Sequence, residues 1–341
     1  GKSITAKAVD LAGNESVASA ANTFSVYTVA PTAPVIQSVG STDSVVSSVA
    51  GDAVVSGVAV AGTTVTLYKG LTALGSVVAN AQGGWVYTLT PGNITTLGQG
   101  SDSITAKAKD PVGNESVAST AFSFNVDTLG STISSVVLTS ATGSMNGTLN
   151  AGDVVTATVT FNEAVTVTGV PKLGLNIGGS IVQASYVSGS GGTTLTFSYQ
   201  ILSGQFDANG ISINANSLSL PTGVFIKDAA GNNAVLTHSG VVDNAGYKVD
   251  TGVSAPVISG LGGADKIVST AVGDNIVSGT AEALSTVRVY TGTTLLGTAT
   301  AGSTGAWTYA LTTDNLTTLG QGTGKSITAK AVDLAGNESV A

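Results

Sequence analysis

Residues 53–90 read AVVSGVAVAGTTVTLYKGLTALGSVVANAQGGWVYTLT. Four runs inside this stretch, AVVSGVAV, TVTLYKG, GSVVAN and WVYTLT, alternate apolar and small or polar side chains and are broken by Gly and Asn. Period two puts successive side chains on opposite faces of a pleated strand, so each run has one face to bury. Short strands recurring about every 8–12 residues between turn residues are the pattern of an antiparallel sandwich. Outward from this stretch, PVIQSV (34–39), SITAKAKD (103–110) and AFSFNVD (121–127) raise the count to seven strands, the number in a constant-type immunoglobulin sandwich. Alternation places Ile104, Ala106 and Ala108 on one face, and Trp85 heads its strand as a buried anchor. No segment carries helical periodicity, so no helix is expected.

The same text recurs along the chain. Gly1–Ala18, GKSITAKAVDLAGNESVA, is repeated without change at Gly324–Ala341, and SITAKAKDPVGNESVA begins at Ser103. Pro34, Gly57, Trp85 and Gln99 return as Pro256, Gly279, Trp307 and Gln321. The reading is therefore an A-type sandwich over 31–128, another over 252–341, and the closing strands of an earlier one in 1–30. Between them, 129–251 form a larger B-type sandwich with strands VVTATVTF, KLGLNIG, IVQASYV, TLTFSYQI, GISINANSL, FIKDAAGN and YKVD. The expected fold is all-β: tandem immunoglobulin-like sandwiches arranged end to end. Both ends read as cuts within a longer chain. The last A-type copy stops before any counterpart of AFSFNVD, which leaves a sheet edge that residues 20–27 of another copy could fill by strand donation.

Composition narrows the function. Hydrophobic residues are 42% of the 341, too many for a disordered chain, and no uninterrupted apolar stretch is long enough to span a membrane. A net charge of −8, from 20 acids against 12 bases, argues against nucleic acid and anionic membranes and favours cations as small partners. There is no Cys, hence no disulfide and no thiolate metal site.

One motif has chemistry in it. D-x-x-G-N occurs at Asp10–Asn14, Asp110–Asn114, Asp228–Asn232 and Asp333–Asn337, each time between the last two strands. As a turn it needs no further explanation, since Gly accepts positive φ and Asp and Asn brace the backbone. Its position suggests more, because that loop lies at the pole where the preceding sandwich ends. Units A and B close with Asp127 and Asp250, and Glu163 in TFNEAV and Glu282 in SGTAEA are read as the turn after the second strand. Two converging sets follow: Asp127, Glu163 and Asp228 with Asn232, and Asp250, Glu282 and Asp333 with Asn337. Several carboxylates with amide oxygens and no His or Cys suit a hard cation, and Ca²⁺ tolerates an irregular oxygen shell best. At the earliest junction Tyr27 replaces the closing acid and Val60 the turn acid. Both are lost together, as expected of residues that serve one ion.

VSGTAE, the Trp strand, SITAKAVDLAGN and the terminal VDT resemble the bacterial Ig-like tandem repeats of giant secreted surface adhesins. AGDVVTATVTFNEAVTVTG and IKDAAGN in the B unit resemble a companion repeat of the same proteins. The resemblance implies an extracellular extender at a bacterial cell surface that holds an adhesive tip outward, with junctional Ca²⁺ stiffening the rod and neighbouring repeats as partners. Where Tyr27 and Val60 depart from the pattern, that stiffening is in doubt.

Other candidates are weaker. His238 has no visible partner in the sequence and reads as a surface residue or a satisfied neighbour, and SGSGGTT (188–194) lacks the Lys of a phosphate loop and reads as a hairpin tip. Asp207, Asn209, Asp243 and Asn244 fit either turn chemistry or a further ion site in B. No nucleophile can be paired with a base, so the chain is read as no enzyme. A lectin-like or ice-binding module, or a filament subunit, is the alternative to the extender.

Overall fold

The computed structural model describes residues 1–41 and 43–341. They form two bodies, Gly1–Leu129 with Ala230–Asn232, and Gly130–Ala229 with Asn233–Ala341.

In the first body, one sheet orders strands Val35–Val39, Val54–Val58 and Gly84–Thr88. The facing sheet orders Val45–Val46, Phe122–Val126, Gly100–Lys109, Thr64–Lys69 and Thr72–Val78. Alternate residues of both sheets meet in one core that includes Val39, Val55, Leu67, Trp85, Ile104, Ala106 and Phe124. Ile104, Ala106 and Ala108 are all buried, as alternation required. The Trp85 indole lies across Gly57, where a Cβ would stand 2.4 Å from Cζ2 of the ring and 2.1 Å from the Val35 carbonyl oxygen. The glycine of VSG is thus fixed by packing.

Residues 1–27 repeat the closing hairpin of this sandwich. Lys2–Ile4 pairs with Asn22–Phe24, Ile4 opposite Asn22, the register in which Ile104 stands opposite Phe122. Phe24 is exposed where its counterpart Phe124 is buried.

In the second body, residues 133–227 build a large sheet ordered Ile133–Thr142, Val154–Thr168, Gly192–Gln200, Ser180–Ser188, Lys172–Ile177 and Leu218–Ser219, with Phe225–Lys227 paired to Val154–Thr168. Thr148–Leu149, Lys248–Asp250 and Phe206–Asp207 form a small second sheet. Their core centres on Leu149, Phe161, Leu175, Phe197, Ile213 and Val249. Residues 257–332 form a further sandwich of two three-stranded sheets around Val277, Val287, Val289 and Trp307. Its strand Thr328–Val332 answers to the C-terminal half of Gly100–Lys109, and among the described residues no strand pairs with 323–327.

Several expectations need correction. Among the described residues two helices do occur, Pro91–Leu97 and Thr313–Leu319. Seven residues are too few to display a 3.6-residue period, but the capping box was readable: Thr90 accepts from the Asn93 amide and Asn93 accepts from Thr90, and Thr312 and Asn315 repeat this. The first sandwich has an eighth strand, Val45–Val46, two residues long and so without visible alternation. Ile133–Thr142 was also missed, because bulges at Ile133/Ser135 and Leu138/Ser140 break its period at the sheet edge.

Candidate metal centre

The D-x-x-G-N loop is built from its own side chains. The Asn337 backbone amide donates to Asp333 Oδ1 (2.9 Å) and its side-chain amide to Oδ2 (2.8 Å). The same bonds close Asp110–Asn114 and Asp10–Asn14. Gly13, Gly113, Gly231 and Gly336 all sit at φ between 86° and 104°. In the two earliest loops the Asn14 and Asn114 side-chain amides hold Asp10 and Asp110 below the usual carboxylate range.

The second hydrogen of that Asn amide reaches a residue far away in sequence. Asn337 Nδ2 donates to the Asp250 carbonyl (2.8 Å), Asn114 Nδ2 to the Tyr27 carbonyl (3.2 Å) and Asn232 Nδ2 to the Asp127 carbonyl (2.9 Å). In every case the acceptor is the main chain of the closing residue, whatever its side chain. Asn337 therefore acts as a bracket, and the oxygen of Asn232 accepts from Ser48 N (2.7 Å) and Oγ (2.6 Å). The sequence had both Asn residues among the ligands; it held no signal for which end of the amide points where.

The bracket brings the acids together. Asp250 follows the Lys248–Val249 pairing, Asp333 opens the loop after Thr328–Val332, and Glu282 sits in the turn between Ile276–Thr280 and Thr286–Thr291. One carboxylate oxygen from each lies within 4.8 Å of the other two. Asp333 is buried, Asp250 half-buried and Glu282 exposed. Partial desolvation, then the charges of Asp250 and Asp333, push the Glu282 carboxyl above its usual range. Among the described residues no Lys, Arg or His forms an ion pair with any of the three. Three acids so close repel unless a cation joins them, and an all-oxygen set selects a hard one.

The Glu282 turn does not need its acid. Its carbonyl accepts from Ser285 N (3.2 Å) and Oγ (2.7 Å), and the Val60 carbonyl accepts from Thr63 N (3.2 Å) and Oγ1 (2.7 Å) in the same way. Main chain and a hydroxyl close both turns, so the carboxylate is spare for another task.

Of the other predicted set, Asp127 follows strand Phe122–Val126 in the first body, to which Asn232 also belongs, and Glu163 and Asp228 lie in the second. Glu163 is not in a turn. It lies within the strand Val154–Thr168, at the register break between Thr160 and Val165.

Residues 264–341 match the family model of the bacterial Ig domain. The chain as a whole is similar in fold to a protein described as a Ca²⁺-stabilized adhesin that helps an Antarctic bacterium reach out and bind ice, with 20% identity, TM-score 0.51, and 98% of this chain and 78% of that one covered. It is also similar to a 1.5-MDa bacterial ice-binding adhesin (18% identity, TM-score 0.43, 90% and 96% covered). A tetra-tandem repeat from the extending region of a large adhesion protein is a third (17% identity, TM-score 0.31, 99% and 79% covered). No curated protein sequence matches. Glu282, Asp333 and Asn337 lie inside the matched segment, and Asp250 precedes it.

The remaining candidates resolve into local structure. Asp207 is buried and accepts from Gly178 N and Gly210 N (both 2.8 Å), and Asn209 donates to Asp243. His238 is the satisfied neighbour of the two readings: Nε2 accepts from Ser217 N (2.9 Å) and Nδ1 lies 2.8 Å from the Ser239 carbonyl, which fixes the Nδ1–H tautomer. SGSGGTT joins two antiparallel strands of the large sheet, Ser180–Ser188 and Gly192–Gln200.

Proposed function

We propose that this chain is a non-enzymatic extender segment of a bacterial surface adhesin, in which Ca²⁺ bound at junctions between successive sandwiches limits their bending. The boundaries lie near residues 30, 128 and 251. The observation that carries the reading is the meeting of Asp250, Glu282 and Asp333, from the closing strand of one sandwich and two loops of the next, with no cation side chain among them. The ligand chemistry belongs outside the cell, where modules with Kd of about 10⁻⁴–10⁻³ M are loaded by ambient calcium. The calcium-stabilised adhesin of similar fold supports the same assignment.

Ion binding only to the folded junction adds about 2.7 kcal/mol at a hundred times Kd. The test is a calcium titration by calorimetry, with small-angle scattering and a thermal melt of the same sample in calcium and in chelator. Calcium is expected to bind, raise the melting temperature and extend the maximum dimension, and a variant carrying Asp250→Asn, Glu282→Gln and Asp333→Asn is expected to lose the part due to this junction. Absence of any calcium effect on the native chain refutes the reading.

A further inference from the structure

The loop between Ile133–Thr142 and Val154–Thr168 reads GSMNGTLN over residues 143–150. Met145 and Thr148 exchange two backbone hydrogen bonds of 2.9 Å, and Asn146 and Gly147 take φ of 53° and 73°. This is a two-residue Asn-Gly hairpin, the short turn whose twist matches that of the strands it joins. Its base is tied to the strand that ends at the ion cluster. Thr148–Leu149 runs parallel to Lys248–Val249, Lys248 N donates to the Gly147 carbonyl (3.0 Å), and the next residue is Asp250. Hairpin and acid are one platform.

That platform grips the back of the D-L-A-G-N loop. Asn146 Nδ2 donates to the Leu334 carbonyl (2.9 Å), and Asn150 Nδ2 donates to the Ala335 carbonyl (3.0 Å). A Cβ on Gly336 would stand 2.7 Å from Met145 Sδ and 3.5 Å from Asn150 Nδ2. The three consecutive residues between Asp333 and Asn337 are thus all met by the hairpin and its flank.

We infer that Met145, Asn146 and Asn150 form a metal-independent receptor for the D-x-x-G-N loop of the following repeat, a second half of the junction beside the acid cluster. The partner is read by its main-chain carbonyls at the second and third loop positions and by the absence of a side chain at the fourth. Gly336 is required for its φ of 90°, and a side chain there would also displace Met145. The arrangement fixes the loop when no ion is bound and so presents Asp333 to Asp250 before calcium arrives, which lowers the ordering cost of binding. It refines the ion reading but does not need it.

The chain has no Cys, so two can be introduced for spin labels. Val187→Cys and Thr298→Cys are exposed strand positions on either side of this junction. Distance distributions are measured in chelator and in calcium, for the full chain and for Asn146→Ala/Asn150→Ala, with circular dichroism to confirm that both variants are folded. The expected result is a narrower distance distribution in chelator for the native loop than for the double variant, and further narrowing of both on adding calcium. Equal breadth of the two chains in chelator would falsify the receptor. Failure of calcium to narrow either chain, with the native chain the narrower one in chelator, leaves the receptor standing and counts against the ion site instead.

Discussion

Replacing Glu282 by Gln removes one charge from the three-acid cluster and leaves its turn intact, because Ser285 closes that turn through the Glu282 carbonyl and the same turn forms around Val60. In chelator, Glu282 repels two carboxylates whose oxygens lie within 4.8 Å. Unscreened, at an effective dielectric near 20, each such pair costs about 3–4 kcal/mol. Glu282 is exposed, so solvent and salt reduce the gain from Glu282→Gln to about 1 kcal/mol, or about 4–8 °C in the melting temperature of a domain this size. In saturating calcium the sign reverses, because a lost carboxylate ligand that weakens Kd ten-fold removes about 1.4 kcal/mol. The pH dependence carries the same signature. The folded-state carboxyl titrates above its ordinary value of 4.5, so over that window the native chain holds a proton that the unfolded chain has lost. Metal-free stability therefore falls as pH rises through the window, and Glu282→Gln abolishes that slope. Differential scanning calorimetry in chelator and in calcium, each across pH 4–7, measures all of this. A shift of the same sign and size in both conditions refutes the cluster as an ion site.

Two further predictions concern the frame that carries the site. Trp307→Ala empties the centre of the last sandwich and is expected to cost about 3–5 kcal/mol in denaturant unfolding, without changing calcium affinity measured below the melting range. Asn93 accepts from Thr90 N and Tyr87 Oη and donates to the Leu74 carbonyl, so Asn93→Ala removes the side-chain half of the capping box and a buried bond together, with an expected loss of about 1–3 kcal/mol by urea denaturation.

The fold was legible wherever strands are long, regular and half-buried: AVVSGVAV, TVTLYKG and WVYTLT show their period because one face of each meets the core. Ile133–Thr142 was not, since bulges erase alternation, and Pro91–Leu97 announces itself only through its caps. At the site, the acids could be found because repulsive charges recurring at equivalent loop positions need a reason. Glu163 was misplaced because Asn-Glu in a strand looks like a turn when the register break that accommodates it is invisible. The role of Asn337 was hidden too, since an amide carries donor and acceptor alike and only the neighbouring Asp250 carbonyl decides which is used.

The Tyr27 junction separates the bracket from the ion site. Asn114 still donates to the Tyr27 carbonyl and still binds Asp110, so the main-chain frame is the one that surrounds Asp250 and Asp333. The Val60 turn is closed by Thr63 as the Glu282 turn is by Ser285. What is missing is two carboxylates, at positions whose backbone is already placed. Tyr27→Asp with Val60→Glu should therefore create a calcium site with Asp110, at little cost in fold because both side chains are exposed. Each single substitution supplies only two acids and should bind at least ten-fold more weakly than the pair, a loss of about 1.4 kcal/mol. Calorimetric titration of the two singles and the double, each in a chain already carrying Asp250→Asn, Glu282→Gln and Asp333→Asn to silence the native set, gives the answer as the number of sites. If the double variant gains none, acids at these positions do not suffice to hold an ion in this frame, and the paired absence of acids at Tyr27 and Val60 has no bearing on calcium.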